Sequence, residues 1–264
     1  MNTSSIIEGI LQTPNLWKES KMMNIPQIVV DDKQFQKDSI SIKLRLGMFV
    51  EQCIFQSLEH NSNYKVLAKN IQIIDNNVTL GELDCILKHN NSIVHLEIAY
   101  KFYLFDQSTN ENELHCWIGP NRNDSLIEKI NKLQERQFPL LHHPKTIETL
   151  INLNIPIGQI EQKVCFKAQL FIPYSEPEIN HQIINNECVV GLYYTFSELT
   201  NLEHNKFYVP SKLEWTAIPT AHVNWLNFDE FLIEVESLLS KKKSPMFWTK
   251  NHKGKLSKCF AIWW

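Results

Sequence analysis

Two alternating runs constrain this chain more than any other stretch: Leu80-Gly-Glu-Leu-Asp-Cys-Ile-Leu87 and Ile93-Val-His-Leu-Glu-Ile-Ala-Tyr-Lys101, separated by Lys88-His-Asn-Asn-Ser92. Period-two alternation is the signature of strands whose successive side chains point to opposite faces. Asn and Ser between two such runs read as the turn of a hairpin. A two- or four-residue loop centred on Asn90-Asn91 sets Asp84 directly opposite Glu97. Cβ atoms so placed are roughly 4.5–5.5 Å apart, and like charges there are destabilising. At about 4 Å and an effective dielectric near 20, the repulsion is on the order of 4 kcal/mol. A fold accommodates such a pair when a cation lies between the carboxylates, or when one of them takes up a proton.

Parity assigns the faces. Val94, Leu96, Ile98 and Tyr100 point one way, and His95, Glu97, Ala99 and Lys101 the other. On the first run Leu80, Glu82, Asp84 and Ile86 share a face, with Gly81, Leu83, Cys85 and Leu87 on its opposite. The hairpin is therefore expected to present one apolar face for helix packing. Its other face holds Glu82, Asp84, His95, Glu97 and Lys101. Mg²⁺ prefers one or two carboxylates plus waters and substrate phosphates. A metal so held activates water and stabilises charge on a phosphoryl group, and a nearby lysine adds a point charge. Asp84 and Glu97 are thus candidate ligands of Mg²⁺ or Mn²⁺. His95 reads as their hydrogen-bonded neighbour.

Around this hairpin the chain reads as an α/β layer with a mixed central sheet. A lead-in segment covers 1–40. The core, 41–180, holds a helix over about 41–60 with an apolar stripe of Phe49, Val50, Cys53, Phe55 and Leu58, then strands over 64–73, 78–87 and 93–102. A polar loop (106–113) and a helix over 123–136, capped by Asn123, lead to a strand over 163–172. A C-terminal α+β extension, 181–264, has strand-like runs at 188–194 and 206–209. It also has a helix over 228–240, with Asn227 and Glu230 as a capping pair. Residues 241–258 carry seven lysines and no acid, with Phe247, Trp248, Phe260, Trp263 and Trp264 in or just after them. Lys250, Lys253 and Lys255 with Trp248 are candidates for a phosphate-binding surface with a stacking aromatic. The other reading is a solvated helix end and loop.

Composition limits the partners. The chain has 264 residues, 43% hydrophobic and 21% charged, with a formal net charge of −3. A protein gripping long duplex DNA over its whole surface is usually basic, so any nucleic-acid contact is expected to be local. No run is long and apolar enough to span a bilayer, and the first residues do not read as a secretory signal. Six scattered cysteines without a C-x-x-C pair read as reduced thiols of a cytoplasmic protein, with no zinc site.

The order helix, three strands, helix, strand, with Gly81-Glu-Leu-Asp84 and then an acid followed by Lys, resembles the PD-(D/E)XK nuclease superfamily over about 41–172. Gly81-Glu-Leu-Asp84, His95-Leu-Glu-Ile-Ala-Tyr-Lys-Phe-Tyr103 and Trp117-Ile-Gly-Pro-Asn121 resemble a bacterial family within it, domain of unknown function 1853, over most of the chain. The superfamily resemblance implies a restriction-endonuclease-like core and Mg²⁺-dependent hydrolysis of DNA or RNA. Asp84 and Glu97 would hold the metal, Glu51 would support them from the preceding helix, and Lys101 would be the catalytic lysine. The usual lysine lies two residues after the acid, about 6.6 Å along the strand at ~3.3 Å per residue. Ala99 occupies that place here, and Lys101 lies about 13 Å away by the same rise.

The sequence leaves two functional readings open. One is the metal-dependent phosphodiester hydrolase. The other is a non-catalytic module of the same fold that binds nucleic acid or a protein, in which Lys101 pairs with Glu82 across the strands. The aromatic C-terminus offers a protein-contact surface under the second reading. Arg122 and Lys129 read either as phosphate contacts or as part of a solvated helix face.

Overall fold

Helix α2 (Leu46–His60) buries the predicted stripe of Phe49, Val50, Cys53, Phe55 and Leu58. It packs on Cys85, Leu87, Val94, Leu96 and Ile98 of the strands that follow. Those strands, β1 (Tyr64–Asp75), β2 (Val78–His89) and β3 (Ser92–Phe105), form an antiparallel meander. Asn76 and Asn77 turn β1 into β2 with φ of 47° and 62°. Positive φ at both central residues is what a type I′ hairpin turn needs. The β2–β3 ladder runs from His89↔Ser92 to Cys85↔Leu96. This is the register a turn on Asn90-Asn91 dictates. The structure, a computed structural model, describes residues 3–17, 25–30, 40–109, 112–176 and 183–264. Parts of the expected lead-in, of the 106–113 loop and of the boundary near 180 lie outside them.

Strand β5 (Ile160–Pro173) pairs parallel with β3 without a break, from Ile93↔Ile160 to Leu104↔Phe171. A parallel pair needs a crossover. Here it contains α3 (Glu113–Cys116), β4 (Trp117–Ile118), α4 (Leu126–Lys132), α5 (Phe138–Leu140) and α6 (Pro144–Asn152). Leu126, Ile130 and Leu133 pack on Tyr103, Val164, Phe166 and Leu170, covering the sheet face opposite α2. The sheet then continues parallel through β6 (Val189–Thr195) to β9 (Leu256–Ile262). It ends antiparallel in β8 (Met246–Lys250) and β7 (Lys206–Tyr208). The full order is β1-β2-β3-β5-β6-β9-β8-β7, with β4 on β3. Helix α1 (Thr3–Gln12) joins the α2 face. Helix α7 (Phe228–Leu239) starts at the predicted capping box of Asn227 and Glu230.

Two expectations change. Helix α4 is capped by Ser125, whose Oγ accepts from the Glu128 N–H at 3.3 Å, and not by Asn123. It also ends early: Leu133–Gln137 form a π turn in which the Phe138 N–H bonds Leu133 O, five residues back. Pro139 supplies the reason, because it has no N–H to continue the α ladder. The lysine-rich tail is more than a loop, and its Trp248 is no stacking surface. It folds into β8 and β9, and Phe247, Trp248 and Phe260 have 0% exposure. Apolar runs such as Met246-Phe-Trp248 and Cys259-Phe-Ala-Ile262 are what strands covered on both faces look like. Trp248 therefore cannot offer its ring to a base. Lys253 lies in the β8–β9 turn with Lys255 at its edge, and Lys250 sits 4.8 Å from the Trp225 ring centre.

All six cysteines are buried free thiols. Among the described residues no helix is long and apolar enough to cross a membrane. Interior placement of Trp248 makes a stability prediction. Trp248→Ala is expected to cost roughly 3–5 kcal/mol, read as a lower urea midpoint. A solvent-facing ring would move it by no more than about 0.5 kcal/mol.

Candidate active site

The β2–β3 ladder ends at Cys85↔Leu96 although both strands run on. Strand β2 stays paired with β1 out to Asp75↔Val78, so the β1–β2 hairpin peels away from β3. The peel is centred on Asp84. Opposite it, between the Lys69↔Cys85 and Ile71↔Leu83 pairs, Asn70 takes a left-handed φ of 52°. Leu83 accordingly packs with Ile71 and Ile86, and not with Cys85 and Leu87 as strict alternation predicts. Across the split Asp84 Oδ2 accepts from the Ile98 N–H at 2.8 Å. A side-chain oxygen thus does the work of a ladder carbonyl. The uncovered edge of β3, from Ile98 to Phe102, lines a cleft of about 680 Å³ that also takes in Arg45, Lys129 and Lys212.

Glu97 lies beside this split with 0% exposure. Its Oε1 accepts from His95 Nε2 at 2.9 Å, and its Oε2 accepts from Gln137 Nε2. Gln137 Oε1 in turn accepts from the Lys129 ammonium at 2.8 Å. On the other side Gln162 Nε2 donates to Phe138 O at 2.7 Å and meets His95 Nδ1 at 3.2 Å. Since the amide nitrogen only donates, Nδ1 is the acceptor and the ring proton sits on Nε2, facing Glu97. Lys129, Gln137, Glu97, His95 and Gln162 form one chain of hydrogen bonds. The π turn after α4 brings Gln137 into it, a frequent role for such turns at functional sites.

Three carboxyls crowd together here. Burial, then the charge of Glu97, pushes the Asp84 carboxyl up to about 8, against the pull of the Ile98 N–H and Lys129. Burial also raises Glu51, with Glu82 and Glu97 adding repulsion. Burial lowers the Lys129 ammonium, while Glu97 and Asp84 pull it back up. Asp84 thus keeps its proton through neutral pH, one of the two ways a facing acid pair is accommodated.

The structure brings Asp84, Glu97 and Glu51 within electrostatic reach of one another, but the ladder ends one pair short of setting Asp84 directly opposite Glu97. Lys101 keeps its face but pairs with Asp124 at 2.6 Å, and not with Glu82. Lys129 is the cation that meets the acids. Spacing alone assigns Lys129 only a general phosphate role, and it offers nothing for Gln137 or Asp124. Pro139, inside an otherwise helical pattern, is the signal that marks the π turn and hence Gln137. Lys250, Lys253, Lys255 and Trp248 are absent from the lining of this cleft. Among the described residues no three His, Cys, Asp or Glu side chains are grouped so as to hold a metal ion.

A family model described as Domain of unknown function (DUF1853) matches residues 14–258. No curated protein and no solved structure matches the chain.

The raised Asp84 carboxyl gives a pH prediction. Its folded value of about 8 lies above an unfolded value of about 3.9. The folded chain therefore holds this proton more tightly. The stability it contributes is full below about pH 4 and is lost as pH rises through about 8. Asp84→Asn removes that loss. Relative to wild type, its urea midpoint should rise steadily between about pH 5 and pH 8, and a difference constant across that range would refute the assignment.

Proposed function

The chain belongs to the DUF1853 family, and from the acids gathered at the split in its sheet we propose that it is a divalent-metal-dependent phosphodiester hydrolase acting on DNA or RNA. The observation that carries this reading is the crowding of Asp84, Glu97 and Glu51 within the field of Lys129, which with Arg45, Lys101 and Lys212 also lines the neighbouring cleft. Crowded carboxylates repel, and a fold that keeps them together has a use for a cation. The helix, three-strand meander, crossover and parallel strand also resemble the core of the PD-(D/E)XK nucleases.

The donor set suits Mg²⁺ or Mn²⁺, which take hard oxygens and need only one or two carboxylates. Asp84 and Glu97 would be the ligands, with Glu51 in support. When bound, the metal supplies a more acidic water and neutralises charge on a phosphoryl oxygen. Asp84 would hold it as the carboxylate, its proton lost to solvent, and Glu97 would turn Oε2 from Gln137 to it. Lys129, now tethered through Gln137, would stabilise charge on the phosphoryl group. Lys101 is held by Asp124. Together with Arg45 and Lys212 it is placed to neutralise flanking phosphates along the cleft. Lys129 takes the role that the strand pattern reserves for a lysine at the Ala99 position.

One observation favours the second reading, a nucleic-acid-binding module without turnover. Both Glu97 oxygens already have donors. Calorimetry decides between the two. Under the hydrolase reading Mn²⁺ binds at millimolar concentration or below, Asp84→Ala abolishes binding, and Gln137→Ala tightens it by freeing Glu97. Lys129→Met should leave metal binding in place and lower phosphodiester turnover by about 10²–10³, the usual cost of one transition-state donor. No heat with Mn²⁺ in wild type and in Gln137→Ala would eliminate the hydrolase.

A further inference from the structure

Among the described residues, the non-glycine positions with positive φ are Asn70, Asn76, Asn77, Asn90, Asn154, Arg122 and Lys242. Asparagine tolerates the left-handed region because its short polar side chain bonds locally. Arg122 (φ 58°) and Lys242 (φ 55°) lack that local compensation. Both line one groove of about 490 Å³. Lys242 lies just beyond the end of α7, where glycine is the usual left-handed residue. The turn is fixed by Lys242 N–H to Leu239 O at 2.8 Å and by Lys243 N–H to Leu238 O at 3.1 Å. A strained backbone that carries a charge in place of glycine points to a use for the charge.

The groove is built from cations. Lys241, Lys242 and Lys243 are exposed, and none has a carboxylate partner among the described residues. Arg122 is braced by Asp106 and lies 4.0 Å from the Trp264 ring centre, while the Lys242 ammonium lies 5.4 Å from that of Trp263. Asn121 and Asn123 line both this groove and the cleft at β3, so the two adjoin. Asn121 Oδ1 also accepts from the Ser244 N–H at 2.8 Å, which ties the connecting loop to the lysine turn.

We propose that this groove is a binding site for the phosphodiester backbone of a nucleic-acid strand, which runs from the β3 cleft over Asn121 and Asn123 onto Lys241, Lys242, Lys243 and Arg122. The strand's path into the cleft rests on the hydrolase reading, whereas binding to the groove does not. With Arg122 and Lys242 on the Trp264 and Trp263 rings, the site reads phosphates and not bases, so it is sequence-independent.

The test is fluorescence anisotropy with a labelled 20-nucleotide single strand, its duplex and its RNA counterpart, over a salt series. Replacing Lys241, Lys242 and Lys243 together by Ala should weaken single-strand binding at least tenfold. It should also flatten the slope of log K against log salt by about 2, at ~0.7 for each phosphate no longer neutralised. Lys242→Gly keeps the left-handed turn and relieves it, so it should raise the melting temperature yet weaken binding several-fold. Wild-type affinity and salt slope in both variants would overturn the proposal. So would equal displacement of the strand by poly-glutamate at the same charge concentration, which marks a surface for acidic protein. Turnover of bis(p-nitrophenyl) phosphate with Mn²⁺ separates the two readings. Turnover with groove-independent strand binding removes only the groove. Groove-dependent binding without any turnover removes only the hydrolase.

Discussion

The carboxylate of Glu97 sits without solvent on β3, an interior strand of the mixed sheet, and the surrounding structure is arranged to make that tolerable. Moving an ion this deep costs several kcal/mol even after relaxation. Two hydrogen bonds to a charged group, from His95 and Gln137, return roughly 1.5–3 kcal/mol each. The raised Asp84 carboxyl lessens the negative charge beside Glu97. Lys129 compensates that charge at one remove, through the Gln137 amide. Each of these partners comes from a different element: β2, β3, α4 and the π turn after it. The crossover between β3 and β5 is therefore held in place by polar chemistry as well as by Leu126, Ile130 and Leu133.

The opposite face of the same sheet uses the inverse device. Lys167 and Lys258 are buried there, and their ammonium groups bond neutral oxygens. Lys167 Nζ donates to Leu11 O and Thr13 O at the end of α1, where a cation suits the helix dipole. Lys258 Nζ donates to Gln169 Oε1 and Trp215 O, both at 2.8 Å, and burial lowers it to about 7. Gln169 also donates to the Tyr100 hydroxyl at 2.7 Å, and Tyr100 lines the cleft. The wall of the candidate site is thus anchored from behind by a network reaching across β5 to β9. This explains why β9, which looks like part of a charged tail in sequence, belongs at the sheet interior.

How much of this is legible in the sequence follows from which interactions are local. The hairpin turn on Asn90-Asn91 fixes the β2–β3 register as far as Cys85↔Leu96, so the approach of Asp84 to Glu97 and the burial of Val94, Leu96 and Ile98 can be read from spacing, though the ladder stops short of pairing the two acids. The α2 stripe and the Asn227–Glu230 box are equally local. The peel at Asp84 is not legible, because strict alternation makes no allowance for a left-handed Asn70 on the neighbouring strand. Lys129 and Gln137 reach Glu97 only through a crossover of many residues, which periodicity cannot place. Trp248 reads as exposed because seven lysines outweigh the short apolar runs between them. Strands covered on both faces show such runs and no alternation.

The location of the cleft has a topological cause. Strand β3 is antiparallel to β2 on one edge and parallel to β5 on the other. The parallel edge is paired over nearly its whole length, so β3 cannot bend with the β1–β2 hairpin when that hairpin twists away. The twist must be released somewhere along the β2–β3 ladder, and it is released after Cys85↔Leu96. A released ladder leaves backbone N–H groups without strand partners, and buried ones need an acceptor. Asp84 meets that need for Ile98, and in doing so is drawn towards Glu97. The same event opens the cleft, strips the edge of β3 from Ile98 to Phe102, and leaves Asp84 within the field of Glu97. Acid crowding and cleft are consequences of one strand separation, so a substitution that closed the ladder would remove both together.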